Sequence, residues 1–369
     1  MKQRIIEGKA SYQKMGEILR SLGVKKYLLV YTNSAKRLPV WEYLADLQIP
    51  SVLFSEFTPN PKYEEIVVGV DIFNAEHCDC VVAIGGGSAI DVAKCIKLYA
   101  KMSKDKLYLD QECVDTGIPL IALPTTAGTG SESTPFSVIY YKGEKQSVKH
   151  PSILPDVAIL DGDVLENLPV YQKKCTVLDA YCQAIEAWWS VNSCDESISC
   201  SKAAIELIRD YIFEYVEQNT ALSREKIMTA SNLAGQAIAY TATTAPHAMS
   251  YKLTTTYGLP HGHSVAISLP GVWKYMLANA DKCNDRRGAD YVLTTFDEIA
   301  NAMGYATAKD AAEGFEAMLS RLEIGYPHDE NREEMAKYLA ASVNVERLGN
   351  NPVALDNKAL YDLYLEMFI

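Results

Sequence analysis

The amino-acid sequence predicts an α/β unit built on an open parallel sheet, followed by an all-helical unit. Three observations carry that prediction. Over the first 160 residues short apolar runs alternate with helical periodicity, and after Asp161 the β-branched alternation almost disappears. Small-residue turns rich in glycine also stand directly behind two of the apolar runs. Continuously apolar strands mark parallel sheets covered on both faces. A length of 369 residues with 48% apolar and 22% charged side chains suits two domains or one large α/β unit. Disordered, collagenous and coiled-coil chains have other compositions.

Taken in order, strands are expected at 26–32, 51–54, 80–84, 119–124 and 157–160. Between the second and third lies a helix over 64–78, where Ile66, Val67, Val70, Ile72 and Phe73 recur at helical intervals. Strand–helix alternation implies right-handed crossovers and ligands at the carboxyl ends of the strands. Helical runs follow at 172–190, 196–217, 223–241, 263–280, 290–303 and 308–321, separated by breakers such as Gly258-Leu259-Pro260 and Gly325-Tyr326-Pro327. The expected domains are 1–161 and 162–369, closely packed with a cleft between them.

Charge and composition exclude several classes. With 35 Lys+Arg against 47 Asp+Glu the formal charge is −12, which would repel a nucleic-acid backbone. Residues 227–245 come nearest to a membrane span but carry Ser, Thr, Asn and Gln. Polar residues interrupt the first fourteen positions, so no secretory signal is expected there. Nine cysteines, an odd number, fit a reduced interior, and Cys78 and Cys80 read as small buried apolar residues. The expected location is cytoplasmic.

Chemistry begins at the turns. The run ending at Ile84 leads into Gly85-Gly86-Gly87-Ser88-Ala89-Ile90-Asp91, where glycines permit close approach of a ligand and positive φ. Ser88 is expected as the N-cap, with Asp91 completing a capping box. A helix start behind a bare turn presents N–H groups and a positive dipole end to a pyrophosphate. A second turn, Pro124-Thr125-Thr126-Ala127-Gly128-Thr129-Gly130, follows the next strand, and two such turns on adjacent strand ends point to one dinucleotide site. In the helical half, Asp179 and Gln183 stand four apart and share a helix face. His247 and His261 are 14 apart, with the Gly258–Pro260 break between them. One carboxylate and two imidazoles can bind a divalent metal and leave a position for a substrate oxygen.

GGGSAIDVAK, PTTAGTGSES, LDAYCQAIEA and PHAMSYKLTTTYGLPHGHSVA together resemble the iron-dependent (group III) alcohol dehydrogenase family, over essentially the whole chain. The resemblance implies dehydroquinate synthase-like architecture: an N-terminal dinucleotide-binding domain and a helical metal-binding domain. It implies reduction of small aldehydes or oxidation of alcohols with NAD(P)(H), and Fe²⁺ or Zn²⁺ held by Asp179, His247 and His261. Where the family has a second-position histidine this chain has Gln183, a neutral and weaker donor that stands as a tentative fourth ligand. Where members carry a proton-relaying histidine it has Tyr251, whose hydroxyl is a different proton donor. Gly86, Gly87, Ser88 and Asp91 would hold the pyrophosphate or nicotinamide end, with Thr125, Thr126, Thr129 and Lys145 lining the remainder. Asn33, where the family often has an Asp, leaves NADP open beside NAD.

The 178–193 and 247–270 stretches resemble the branch associated with phosphonoacetaldehyde reductase, whose product would be 2-hydroxyethylphosphonate. Lys149, Lys252 and His263 are the tentative substrate contacts, since a phosphonate offers acceptor oxygens to such donors; His150 is a further candidate. Alternatives are a general alcohol or polyol dehydrogenase, a dehydroquinate synthase-like lyase, and a metal-free binding protein. The resemblance also implies a homodimer.

Overall fold

The structure, a computed structural model, describes residues 3–343 and 348–368. The chain folds as two compact units that divide between Leu168 and Pro169. No described helix is long and apolar enough to cross a membrane.

The first unit is built on a parallel sheet. Its strands are β1 (Arg4–Glu7), β2 (Tyr27–Tyr31), β3 (Ser51–Phe54), β4 (Cys80–Gly85), β5 (Leu120–Pro124) and, after a hairpin, β8 (Val157–Leu160). Their order across the sheet is β1-β8-β5-β4-β2-β3, with every pairing parallel. All five expected strands are present, because β2, β4, β5 and β8 are buried along their whole lengths and had to be apolar. The chain runs outward from β2 to β3 and then crosses back to β4. The crevice beyond the carboxyl ends of β2 and β4 is therefore the topological switch point where such sheets bind ligands. Helices α1 (Met15–Ser21), α2 (Pro39–Ala45), α3 (Tyr63–Ala75) and α4 (Gly87–Tyr99) make the connections. Ile66, Val70 and Phe73 of α3 and Ile90, Ala93 and Ile96 of α4 pack with Val81 and Ala83 in one apolar core.

Sequence periodicity did not reveal β1 or the antiparallel hairpin of β6 (Phe136–Tyr141) and β7 (Glu144–Lys149). The hairpin is half-exposed and its second strand, EKQSVK, is polar, so burial left no apolar signature there.

Among its described residues the second unit has helices joined by loops and no strand, apart from an isolated bridge between Cys283 and Val353. It contains α5 (Val170–Trp189), α6 (Asp195–Phe213), α7 (Ala221–Thr241), α8 (Ala245–Tyr257), α9 (His261–Ala278), α10 (Ala289–Ala302), α11 (Ala308–Arg321), α12 (Arg332–Ala341) and a last helix, Asn357–Met367. The periodic runs found α5, α6, α7, α9, α10 and α11 but not α8, α12 or the last helix. Buried His247 and Ser250 break the apolar stripe of α8, and both lie at the site described below. Trp189 packs edge-on against Trp273 and Phe296 at 5.5 and 5.9 Å between centroids, and Trp188 is buried next to it in sequence.

Candidate active site

Two sites emerge, one in each unit. In the first, β4 ends at Gly85, Gly86 takes the N-cap position in an extended conformation (φ −74°), and α4 begins at Gly87. This corrects three expectations. Gly85, Gly86 and Gly87 all lie outside the positive-φ region, Ser88 sits inside the first turn rather than capping it, and Asp91 forms no capping box. What demands glycine is packing. A Cβ on Gly85 would stand 2.6 Å from the Ala89 Cβ, and one on Gly87 2.9 Å from the Thr129 hydroxyl oxygen. Gly86 is looser, its nearest neighbour being Thr126 at 3.2 Å. The start of α4 therefore meets the Thr125–Thr129 turn closely, and the Thr125 N–H donates to the Gly85 carbonyl at 3.0 Å.

Asp91 accepts from the Ser131 hydroxyl at 2.6 Å and from the Val138 N–H at 3.0 Å. Its carboxylate ties α4 to the hairpin instead of facing a ligand, and burial pushes it up from the ordinary carboxylate value. Lys94, which sequence reasoning missed, is completely buried and donates to Ser131 Oγ (3.1 Å), Thr134 Oγ1 (3.0 Å) and the Phe136 carbonyl (2.7 Å). Burial lowers its amine to about 8, against the pull of Asp91 and Glu132. Lys145 on β7 lies close enough to Asp91 to lower its carboxyl. Asn33 is exposed at the turn after β2, at the switch point. Lys149 is exposed at the end of β7.

The second site is made of side chains from α5, α8 and α9. Gly258 in the left-handed region (φ 65°) ends α8, and Pro260 precedes the first residue of α9, His261. The next residue decides where that histidine goes. A Cβ on Gly262 would lie 2.0 Å from the Cys175 carbonyl oxygen and 2.8 Å from the Asp179 Cβ, so α9 reaches the backbone of α5 only because position 262 lacks one. Asp179, His247 and His261 converge as a result, with one ligand atom from each within 4.8 Å of the others. His247 Nε2 is 3.3 Å and His261 Nε2 3.8 Å from Asp179 Oδ1.

Those separations suit a shared cation, since two atoms each ~2.1 Å from a tetrahedral metal stand ~3.4 Å apart. Asp179 Oδ1 and His247 Nε2 are buried, face each other, and neither is satisfied by a hydrogen bond. Buried polar atoms without partners call for a ligand. Burial works against the Asp179 charge, but the two imidazoles and a Gln183 hydrogen bond hold its carboxyl below the ordinary value. Burial likewise disfavours charged His247, yet the Glu186 and Asp179 carboxylates outweigh it and push the imidazole up to about 9.

Glu186 was also missed. It is completely buried on the α5 face that carries Asp179 and Gln183, and its carboxylate takes His247 Nδ1 at 2.5 Å. The signal was legible: a lone acid seven residues after Asp179, inside the apolar AIEAWW run, repeats the same helix face. Gln183 is buried beside Asp179. The Tyr251 ring stacks parallel to that of His261, 6.0 Å between centroids and 5° between planes.

The tentative substrate cations of this unit do not join the cluster. Lys252 is exposed, its Nζ 5.9 Å from the Tyr338 ring centroid. His263 is a correction. Its ring is buried between the Tyr171 hydroxyl (2.8 Å) and the Gly325 carbonyl (2.7 Å), so both nitrogens serve packing.

A doubly wound α/β unit with a glycine turn at its switch point, followed by a helical unit with a carboxylate–imidazole cluster, suits an enzyme that pairs a dinucleotide with a divalent metal. The model of iron-containing alcohol dehydrogenases matches residues 2–162, and that of the C-terminal part of Fe-containing alcohol dehydrogenases matches 174–368. The chain belongs to the iron-containing alcohol dehydrogenase family, and is an oxidoreductase whose family cofactors are NAD(P) and a divalent metal. It is 32% identical over 299 residues to a phosphonoacetaldehyde reductase of Streptomyces viridochromogenes, covering 78% of this chain and 75% of that one. A 1,3-propanediol dehydrogenase of Citrobacter freundii is 32% identical over 333 residues, 85% of this chain and 82% of that protein. Among solved structures, the sulfoacetaldehyde reductase of Bifidobacterium kashiwanohense in complex with NAD⁺ superposes with a TM-score of 0.88 at 28% identity, covering 99% of this chain and 96% of that one.

Proposed function

We propose that the protein reduces a small anionic aldehyde with NAD(P)H, phosphonoacetaldehyde to 2-hydroxyethylphosphonate being the favoured reaction, at a metal held by Asp179, His247 and His261. The observation that carries the metal reading is the buried meeting of Asp179 Oδ1 and His247 Nε2 without a hydrogen bond. The anionic substrate is supported by two of the relatives, which by name act on phosphono- and sulfoacetaldehyde.

Reduction of an aldehyde adds a hydride to carbon and a proton to oxygen. Bound at this cluster, a divalent metal supplies Lewis-acid polarisation of a carbonyl oxygen. The chain's own residues do the rest. Gly86, Gly87 and Ser88 offer the N–H groups at the start of α4 to a pyrophosphate, while Thr125, Thr126 and Thr129 line the same turn and Asn33 and Lys145 flank it. Asp91 holds that site in shape. Tyr251 holds a proton at its hydroxyl beside His261 and gives it to the product oxygen. Gln183, hydrogen-bonded to Asp179, completes or supports the ligand set. Lys149 and His150 are the remaining candidates for the anionic group in the first unit, and Lys252 in the second.

The test is cofactor oxidation over a panel of phosphonoacetaldehyde, sulfoacetaldehyde, 3-hydroxypropanal and propanal, each with NADH and with NADPH. A kcat/KM for phosphonoacetaldehyde at least tenfold above the uncharged aldehydes is the expected outcome. Preference for the uncharged aldehydes makes it a general alcohol dehydrogenase.

A further inference from the structure

We propose that Glu186 is a positioning residue that fixes the Nδ1–H form of His247, aiming the Nε2 lone pair at the point shared by Asp179 and His261. The proposal rests on reading that cluster as the metal site.

Every partner of the Glu186 carboxylate is a donor. The Thr244 N–H reaches Oε2 at 2.7 Å and the Thr244 hydroxyl reaches it at 2.9 Å, while His247 Nδ1 lies 2.5 Å from Oε1. The Thr244 hydroxyl has no freedom to turn round. Its oxygen accepts the Trp189 indole N–H at 2.8 Å, so its one proton goes to Glu186. An ionised carboxylate only accepts, so the proton between Oε1 and His247 sits on Nδ1. The two tautomers of a neutral imidazole are decided by whichever nitrogen is so engaged, so a cation that displaces any proton from Nε2 meets its lone pair beside Asp179. The same contacts place the ring, because Thr244 is the N-cap of α8 and His247 lies in its first turn. Glu186 therefore lashes the start of α8 to α5.

The isosteric amide cannot reproduce this. In Glu186→Gln, an oxygen kept on Thr244 turns the NH₂ toward Nδ1, which must then accept, and the proton moves to Nε2, the atom a metal needs. Turned the other way, the NH₂ confronts two Thr244 donors. Carboxylate partners of ligating histidines commonly tune metal affinity by roughly 10- to 100-fold.

The experiment uses the full chain freed of metal, with zinc alone as probe. Zinc affinity is measured by chelator competition in the native protein, Glu186→Gln, Glu186→Asp, Thr244→Val and His261→Ala. Protonation of His247 Nδ1 is read by ¹⁵N NMR of the metal-free protein above pH 9, where the ring is neutral and its one proton must choose a nitrogen. Zinc should bind Glu186→Gln roughly 10- to 100-fold more weakly, with Nδ1 unprotonated. Glu186→Asp, which keeps an acceptor, should recover part of the affinity. Thr244→Val should melt at lower temperature yet keep near-native zinc affinity, with Nδ1 protonated. Native affinity and a protonated Nδ1 in Glu186→Gln overturn the proposal, and so does a zinc loss in Thr244→Val equal to that in Glu186→Gln. Should Glu186→Gln fail to fold, Glu186→Asp decides by the same two readouts, a native zinc affinity overturning the proposal. If the native protein binds zinc no better than His261→Ala, the metal reading fails. The NMR comparison then still decides whether Glu186 sets the proton position.

Discussion

The two sites are built from opposite materials. In the first unit the binding surface is backbone and hydroxyls at strand ends, shaped by glycines whose neighbours are mostly movable side chains. In the second it is side chains from three helices, two buried and His261 half-exposed, held by one backbone-to-backbone approach at Gly262. A backbone site tolerates small shifts because its N–H groups move together. A side-chain site fails when any one rotamer or helix offset changes, and substitutions at the two should therefore part in kind.

The sharpest break is Gly262→Val. Its Cβ would overlap the Cys175 carbonyl at 2.0 Å, a backbone atom that cannot rotate away. Overpacking of this kind should cost ~3 kcal/mol or more, lowering the melting temperature and emptying the metal site together. Gly86→Val meets only the Thr126 side chain at 3.2 Å. It should leave the melting temperature near native while cofactor affinity falls at least tenfold. Equal destabilisation by the two would erase the distinction.

Next comes His261→Ala, half-exposed at the head of α9. Turnover and metal retention should be lost while NAD(P)H titrates as in the native protein, and treatment with chelator should copy that pattern. Loss of cofactor binding in this variant would mean the two sites are not independent. Gln183→His is milder. Imidazole is a better donor than an amide for iron or zinc, so metal loss to chelator should slow, with activity unchanged or reduced. Equal rates in both proteins place position 183 outside the ligand set.

The smallest effect is a pH dependence in the first unit. Lys94 falls from the ordinary lysine value to about 8 because burial disfavours its charge. Between pH 8 and ~10.4 the unfolded chain binds the proton that the folded one releases, so this group makes stability rise with pH there and adds nothing further below 8. Over the step from pH 8 to 9 the rise should be at most ~1 kcal/mol, and Lys94→Met should flatten it. An unchanged slope in urea melts of the variant would assign it to other groups.

What could be read from sequence follows the same division. Buried parallel strands must be apolar over four to six residues, so β2, β4, β5 and β8 announced themselves. Glycine turns behind β4 and β5 pointed at the switch point for the same reason. The meeting of Asp179, His247 and His261 was legible through the family resemblance, helped by the scarcity of histidine, of which the chain has six. Hidden from view was whatever depends on tertiary approach. Gly262 looks like any glycine in a helix, and its worth lies in an atom of α5 that is 87 residues away in the chain. Asp91 looked like a cap because it stands three residues after Ser88, but Ser131 and Val138 had already claimed its oxygens. His263 carried the right chemistry for an anion, and only the positions of Tyr171 and Gly325 show it engaged.

The Lys94 knot bears on the timing of the catalytic cycle. A buried amine holding Ser131, Thr134 and the Phe136 carbonyl keeps the 131–136 segment, just behind the hydroxyl turn, in place before any nucleotide arrives. Little ordering of that segment remains to be done on capture, so nucleotide arrival should be limited by encounter rather than by loop rearrangement. Amides of 131–138 should accordingly exchange slowly with deuterium in the nucleotide-free protein, and slow only slightly more when it is loaded.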